Sequence, residues 1–376
     1  MTATRQEICQ ATAEGLRRAS PGLASTPALL GFDGFVDEIV DVVDKRHGPD
    51  RYEPVESIAA MARKILDASG ESSNYELIVK KCKLGGNGPI MANALACLGL
   101  DVTYIGNLGY PALHPVFLDF ATRARVISIA DPGHTDALEF ADGKLMLGKT
   151  EVLGDVNWEN LVARVGRPEL NALVGGATLV GMLNWTMLPR LGEIWEKLLD
   201  DVLPPANPRQ TFFVDLADPE KRTREDLRGA LALVSRFQER VGVTLGLNLK
   251  EATQVARVLG LPDRLDREAA VEEVATEIRE ALGIACVVIH PRKVAATATA
   301  EGTARFPGPF VQNPLISTGA GDHFNAGFCL ARVIGLGLEE SLCAGVATSG
   351  YYVRSAKSPS AAELADFIDE LPSPEG

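Results

Sequence analysis

Apolar runs of about five residues recur along this chain, separated by stretches with helical spacing. That rhythm constrains the fold more than any other feature. A short strand that is apolar on both faces must lie in a sheet covered by helices on both sides. The runs are Ala28–Phe32, Val102–Gly106, Val126–Ala130, Leu179–Leu183, Thr211–Asp215, Val243–Leu247 and Ala285–Ile289. Between them the pattern predicts helices over 56–69, Pro89 to Leu98, Pro189 to about 199, Arg224–Gln238, 250–259 and 268–282. Gly319 opens a nearly all-apolar helix to about Ile334, and Ser341–Val353 forms another. The expected fold class is therefore α/β, a central mainly parallel sheet with helices on both faces. An N-terminal helical segment (1–27) precedes a core over 28–370.

Two stretches break the rhythm, about 35–46 and about 134–150. Both are strand-like and follow core strands directly. In the second, Leu138–Phe140 and Leu145–Leu147 flank Ala141-Asp142-Gly143, a hairpin signal. These segments are expected to form a small β lid inserted into the core, a device that excludes water from a reactive group.

The formal net charge of −13 weighs against nucleic acid and anionic lipid as partners. No apolar run approaches the ~20 residues of a membrane span, and the polar N-terminus lacks the order of a signal peptide. The six cysteines contain no CxxC pair and no zinc spacing. They read as free thiols, most of them buried, of a cytoplasmic protein.

The strongest chemical signal is Ser317-Thr318-Gly319-Ala320-Gly321-Asp322-His323-Phe324-Asn325-Ala326-Gly327-Phe328. Glycines immediately before a helix let an anionic oxygen approach backbone amides at the positive end of the helix dipole. Asp322 then stands in the first turn, where it can accept a proton from an attacking hydroxyl. An acid in a first turn is also favoured by the dipole alone. Three further clusters sit at predicted strand ends or helix starts: Gly85-Gly86-Asn87-Gly88-Pro89, Asn248-Leu249-Lys250-Glu251, and Gly31-Phe32-Asp33-Gly34-Phe35-Val36-Asp37. The second is also a capping-box pattern, and Asp33 also suits the first position of a turn.

Thr318-Gly319-Ala320-Gly321-Asp322, with Phe324 and Gly327, resembles the C-terminal signature of the ribokinase-like (PfkB) carbohydrate kinases, and the likeness runs in order from about residue 28 to about 365. The resemblance implies an ATP-dependent kinase that phosphorylates a hydroxyl of a sugar or sugar-like small molecule, a phosphotransferase with an alcohol acceptor. It makes Asp322 the base and the amides of Gly319, Ala320 and Gly321 the anion hole. It assigns Asp37, Asp33, Gly85, Gly86 and Asn87 to the acceptor, and Asn184, just past a core strand, joins them. It assigns Asn248, Glu251, Thr318, Ala347 and Ser349 to ATP, with Glu251 holding Mg²⁺ through water. Asp215, Lys221, Arg222, Ala344, His290 and His323 are weaker candidates by position. A strand-built lid offers an edge for a homodimer.

Three positions depart from the family pattern. Ile316 replaces the usual acid that helps bind a monovalent cation, so activity is expected not to need K⁺. Ile90 replaces the usual acceptor-touching Asn, and Pro291 or Arg292 a usual glycine near the nucleotide base. The Gly31-to-Asp37 segment has some likeness to the ADP-dependent branch, whereas the length and the TGAGD context fit the ATP branch. The alternatives are a nucleoside kinase and a non-catalytic sugar-binding or regulatory protein on the same scaffold. A Rossmann dehydrogenase lacks its GxGxxG here.

Overall fold

The computed structural model describes residues 3–203, 207, 210–262 and 270–374. In chain order the strands are β1 (Pro27–Phe32), β2 (Phe35–Gly48), β3 (Arg51–Pro54), β4 (Leu77–Gly85), β5 (Asp101–Gly106), β6 (Arg125–Ser128), β7 (Gly133–Phe140) and β8 (Gly143–Lys149). They continue with β9 (Leu179–Met182), β10 (Thr211–Asp215), β11 (Gly242–Leu247), β12 (Cys286–Ile289), β13 (Val294–Thr299) and β14 (Thr303–Pro307). The helices are α1 (Arg5–Ala19), α2 (Ile58–Asp67), α3 (Asn87–Leu98), α4 (Trp158–Val165), α5 (Arg167–Gly176) and α6 (Leu191–Lys197). After them come α7 (Arg224–Gln238), α8 (Leu249–Leu259), α9 (Val271–Leu282), α10 (Ala320–Val333), α11 (Leu338–Ser355) and α12 (Ala361–Asp369). Residues 268 and 269, the expected start of the helix ending at 282, lie outside the described residues.

One sheet has nine strands in the order β14-β13-β12-β11-β10-β9-β1-β5-β6. Pairing is parallel from β12 to β6 and antiparallel at β13 and β14. Successive residues of its strands feed opposite cores, as the pleat requires. Leu29, Val180, Phe212 and Val287 join the cluster under α4 to α9, while Leu30, Leu179, Phe213 and Val288 join the cluster under α1, α3 and α10 to α12. Helices therefore cover both faces, which is why these runs are apolar throughout rather than alternating.

The second sheet has five strands. β2 is its spine: β7 pairs with it in parallel over Phe35–Val40, while β4 pairs antiparallel over Phe35–Val42 and β3 antiparallel over Val43–Gly48. β8 closes the expected hairpin on β7, with Phe140 opposite Gly143. A small apolar cluster of Val40, Val42, Val55, Met61 and Leu138 seats α2 under this sheet. The two strand-like segments expected from sequence thus share one sheet, and β3 and β4 add to it. β3, β13, β14, α4, α5 and α12 were not foreseen.

Candidate active site

The parallel strands present their carboxyl ends along one rim, where α/β sheets hold ligands. Asp33 follows β1, Asn184 follows β9, Asp215 ends β10, Asn248 follows β11 and His290 follows β12. The glycine loops of the two sequence motifs meet at this rim. Asn87, the first residue of α3, donates from Nδ2 to Asp322 Oδ1 at 3.0 Å across 235 positions of sequence.

On one side of that contact lie two carboxylates. Asp33 is 0% exposed, accepting from the Gly88 amide and from Asn184 Nδ2, both at 2.8 Å. Burial pushes its carboxyl up to about 6, against those hydrogen bonds. Asp37, 6% exposed on β2, lies opposite Lys83 of β4 and Thr135 of β7, and Thr135 hydrogen-bonds its carboxylate. Burial raises Asp37, and Lys83 and Lys144 oppose the rise. The paired glycines exist to make room for these acids. A Cβ on Gly85 would sit 2.5 Å from the Asp37 carboxylate, and one on Gly86, at φ 98°, 2.6 Å from Asp33 Oδ2. Asn184 has a left-handed backbone, φ 59°, and its Oδ1 is buried without a partner.

On the other side, Gly319 at φ 91° caps α10, and Asp322 stands in its first turn, 5% exposed. Burial pushes the Asp322 carboxyl up to about 8; Asn87 opposes the rise, and the charges of Asp33 and Glu251 add to it. Of the expected anion-hole amides, that of Ala320 donates to Ser317 O at 3.2 Å and closes the turn. Glu251 forms the capping box with Asn248: Asn248 N donates to Glu251 Oε2 at 2.8 Å, and Glu251 N to Asn248 Oδ1 at 3.0 Å. The other Glu251 oxygen accepts from Asp218 N at 2.9 Å. Asp215 is buried between these acids, held by Ala217 N and Asn325 Nδ2 at 2.9 Å each, and its carboxyl lies well above the usual range because of burial and the charges of Glu251 and Asp322.

Asp33, Asp37, Gly85, Gly86, Asn87, Asn184, Gly319, Ala320, Gly321 and Asp322 therefore form one connected rim, with Glu251 coupled to it electrostatically and Asn248 bonded to Glu251. Thr318 is half-buried, and Lys144 Nζ reaches its hydroxyl at 3.2 Å from the small sheet. Ala347 is fully enclosed among the helices and Ser349 is half-buried. Gly327 admits α11 closely: a Cβ there would meet Ala344 O at 2.5 Å. Lys221 pairs with Asp218 and Arg222 with Asp226, and the Arg222 guanidinium lies over the Trp185 ring, next to Asn184. Sequence reasoning missed Thr135, Lys83, Lys144 and Asn325. Only Asn325 carried a signal, one helical turn beyond Asp322 on the same face. Among the described residues no group of three or more His, Cys, Asp or Glu could hold a metal, and no helix is long and apolar enough to cross a membrane. Five of the six cysteines are buried or half-buried free thiols; Cys82 on β4 is the exposed one.

Solved structures of the same fold include Arabidopsis thaliana ribokinase complexed with ribose and ATP (TM-score 0.63, 15% identity, 91% of this chain and 98% of that one). Escherichia coli phosphofructokinase-2 (TM-score 0.62, 15%, 92% and 99%) and a Burkholderia thailandensis nucleoside kinase (TM-score 0.59, 16%, 92% and 98%) share it. Fold and sequence signature together define a kinase of the ribokinase-like (PfkB) class. Within that class, the model of prokaryotic ketohexokinase matches residues 6–371, and a ketohexokinase of Haloferax volcanii is 34% identical over 343 residues, 90% of each chain. The chain belongs to the prokaryotic ketohexokinase family.

Proposed function

We propose that this kinase transfers the terminal phosphate of ATP to a hydroxyl of a ketohexose, with Asp322 as the base. The observation that carries the reading is Asp322 itself, buried beside the glycine turn and tied through Asn87 to the loop that adjoins Asp33 and Asp37. A carboxyl raised to about 8 is a stronger base, once ionised, than an ordinary aspartate. As the acceptor oxygen bonds to the γ-phosphorus, the bond from phosphorus to the bridging β-oxygen breaks. The hydroxyl proton goes to Asp322 and ADP leaves. Asp37 accepts acceptor hydroxyls, and the unpartnered Asn184 Oδ1 offers a further acceptor. Asp33, both oxygens already engaged, holds Gly88 and Asn184 in place for them. The amides of Gly319 and Gly321 receive the transferring phosphoryl oxygens.

Mg²⁺ fits the donor set. Glu251 raises the carboxyls of Asp215 and Asp322, and Asp322 raises that of Asp215, so a cation among them relieves a repulsion already present. With no complete protein ligand set among the described residues, the ion is held through water on Glu251 and through the phosphates. When bound it neutralises phosphate charge. The nucleoside kinase reading shares the fold, but the ketohexokinase relative at 34% identity favours a sugar. A cytoplasmic location fits the six free thiols. A homodimer fits the exposed apolar residues of the small sheet.

The test is a nucleotide-consumption assay across D-fructose, other ketohexoses, aldohexoses, ribose and nucleosides, with ATP and with ADP as donor. A ketohexose with ATP is expected to turn over fastest. Asp322→Asn is expected to lower kcat by about 10²–10⁴-fold with nucleotide affinity within a few-fold. A nucleoside preferred over every sugar, or a fully active Asp322→Asn, would refute the proposal.

A further inference from the structure

The loop ahead of α10 is gripped from behind by two aromatic rings. His323 in α10 and Tyr352 in α11 stack with centroids 3.6 Å apart and planes 12° apart. Each ring holds one of two consecutive loop carbonyls. Tyr352 Oη donates to Thr318 O at 3.1 Å, and His323 Nδ1 lies 2.7 Å from Gly319 O. A carbonyl only accepts, so Nδ1 carries the ring proton and Nε2 is the acceptor, 2.9 Å from Ser358 Oγ. Ser358 Oγ in turn accepts from Asn93 Nδ2 at 3.4 Å, and Asn93 Oδ1 accepts from Arg123 Nε and Nη2 at 3.1 and 3.0 Å. Every donor in this series faces the same way, from Arg123 to the Gly319 carbonyl, and such a chain reinforces each of its bonds. Burial of His323, 2% exposed, keeps the ring neutral with a pKa near 4, so the series keeps its direction at working pH.

We propose that His323 and Tyr352 are positioning residues: their stacked rings fix the Thr318 and Gly319 peptide planes and so aim the amides that receive the phosphate. The inference rests on the assignment of this loop to phosphoryl transfer. In a trans peptide the N–H and C=O point in opposite directions. Holding Thr318 O back against Tyr352 therefore turns the Gly319 N–H towards the opposite side. Holding Gly319 O fixes the first turn of α10, which carries Gly321 and Asp322. A left-handed glycine flanked by Ala320 and Gly321 has little stiffness of its own, so the two rings add to the order supplied by the bonds from Ala320 N to Ser317 O and from His323 N to Gly319 O. Gly319 O accepts both His323 Nδ1 and the His323 amide, which fills its two lone pairs.

The test compares kcat, the KM values for sugar and MgATP, and thermal melting for Tyr352→Phe, His323→Leu and His323→Asn, with wild type and Asp322→Asn as references. Tyr352→Phe keeps the stack and removes one hydrogen bond. It is expected to lower kcat about 3- to 10-fold with sugar KM unchanged and melting within ~2 °C. His323→Leu is expected to lose more, and His323→Asn, whose amide can replace the Nδ1 donor, to recover part of that loss. Unchanged kcat in Tyr352→Phe and His323→Leu beside an inactive Asp322→Asn would overturn the proposal. So would losses of kcat that merely track losses of melting temperature. A fully active Asp322→Asn would sink the base assignment instead, with Tyr352→Phe still deciding on the clasp.

Discussion

At the scale of single residues, the carboxyl of Asp322 sets function against stability. Burial, with Asp33 and Glu251 adding charge repulsion, lifts it from an ordinary 3.8 to about 8. The folded chain therefore favours the protonated acid. The stability this contributes is complete below about pH 4 and is lost as pH rises through about 8. With Asp322 as the proposed base, transfer needs the ionised form, so the working state is the one the fold favours less. Asp322→Asn removes the titration and is expected to melt higher than wild type. The difference should be absent near pH 4 and grow to on the order of 1–3 kcal/mol by pH 9. Thermal melts at pH 5, 7 and 9 check this, and a difference independent of pH would contradict it. Activity should follow the opposite course in the free enzyme, kcat/KM falling as pH drops below the pKa of this group.

Among the elements, the junction of β4 and α3 shows what glycine spacing accomplishes. Gly85→Ala would drive a methyl group to 2.5 Å from the Asp37 carboxylate. That carboxylate must then leave its place between Lys83 and Thr135. The expected result is a sugar KM raised about 10-fold or more with MgATP KM unchanged, the cost of one misplaced charged hydrogen bond. Equal changes in both constants would place Gly85 outside the acceptor side. This junction was legible in sequence: Met91, Ala94, Leu95 and Leu98 have helical spacing and are all buried, and Gly99 ends the helix at φ 107°. The turn before α10 and the Asn248–Glu251 box were legible for the same reason, because local chemistry dictates caps and turns. β13 was not. Its sequence, Val294-Ala295-Ala296-Thr297-Ala298-Thr299, is buried at every position, so it shows neither alternation nor the bulky residues that mark a strand. The three lysines of β4 mask its strand character: Lys80 and Lys81 are exposed, whereas Lys83 is half-buried beside the Asp37 carboxylate. Thr135 and Tyr352 reach the site only through sheet pairing and helix packing, which no local pattern records.

Across the whole molecule, the small sheet stands apart from the large one in what it exposes. Met146 and Leu147 on β8 are 48% and 51% exposed, and Leu77 and Val79 on β4 are 40% and 50% exposed. An open strand edge with apolar side chains invites pairing with another sheet. Sedimentation velocity is expected to find a dimer, and the double change Met146→Lys with Leu147→Lys to shift it to monomer. A wild-type monomer at micromolar concentration would contradict this.

The division into two sheets has a further consequence for descent. Asp37 belongs to the small sheet, whereas Glu251 and Asp322 belong to helices seated on the large one. On the proposed assignment of these residues, changes that accumulate on β2, β4, β7 and β8 redraw the outline of the molecule being modified while the proposed transfer residues stay untouched. Ribokinase, phosphofructokinase-2 and a nucleoside kinase share this scaffold at 15 to 16% identity. Selection on such a molecule can explore new substrates through one sheet without first giving up the reaction on the other.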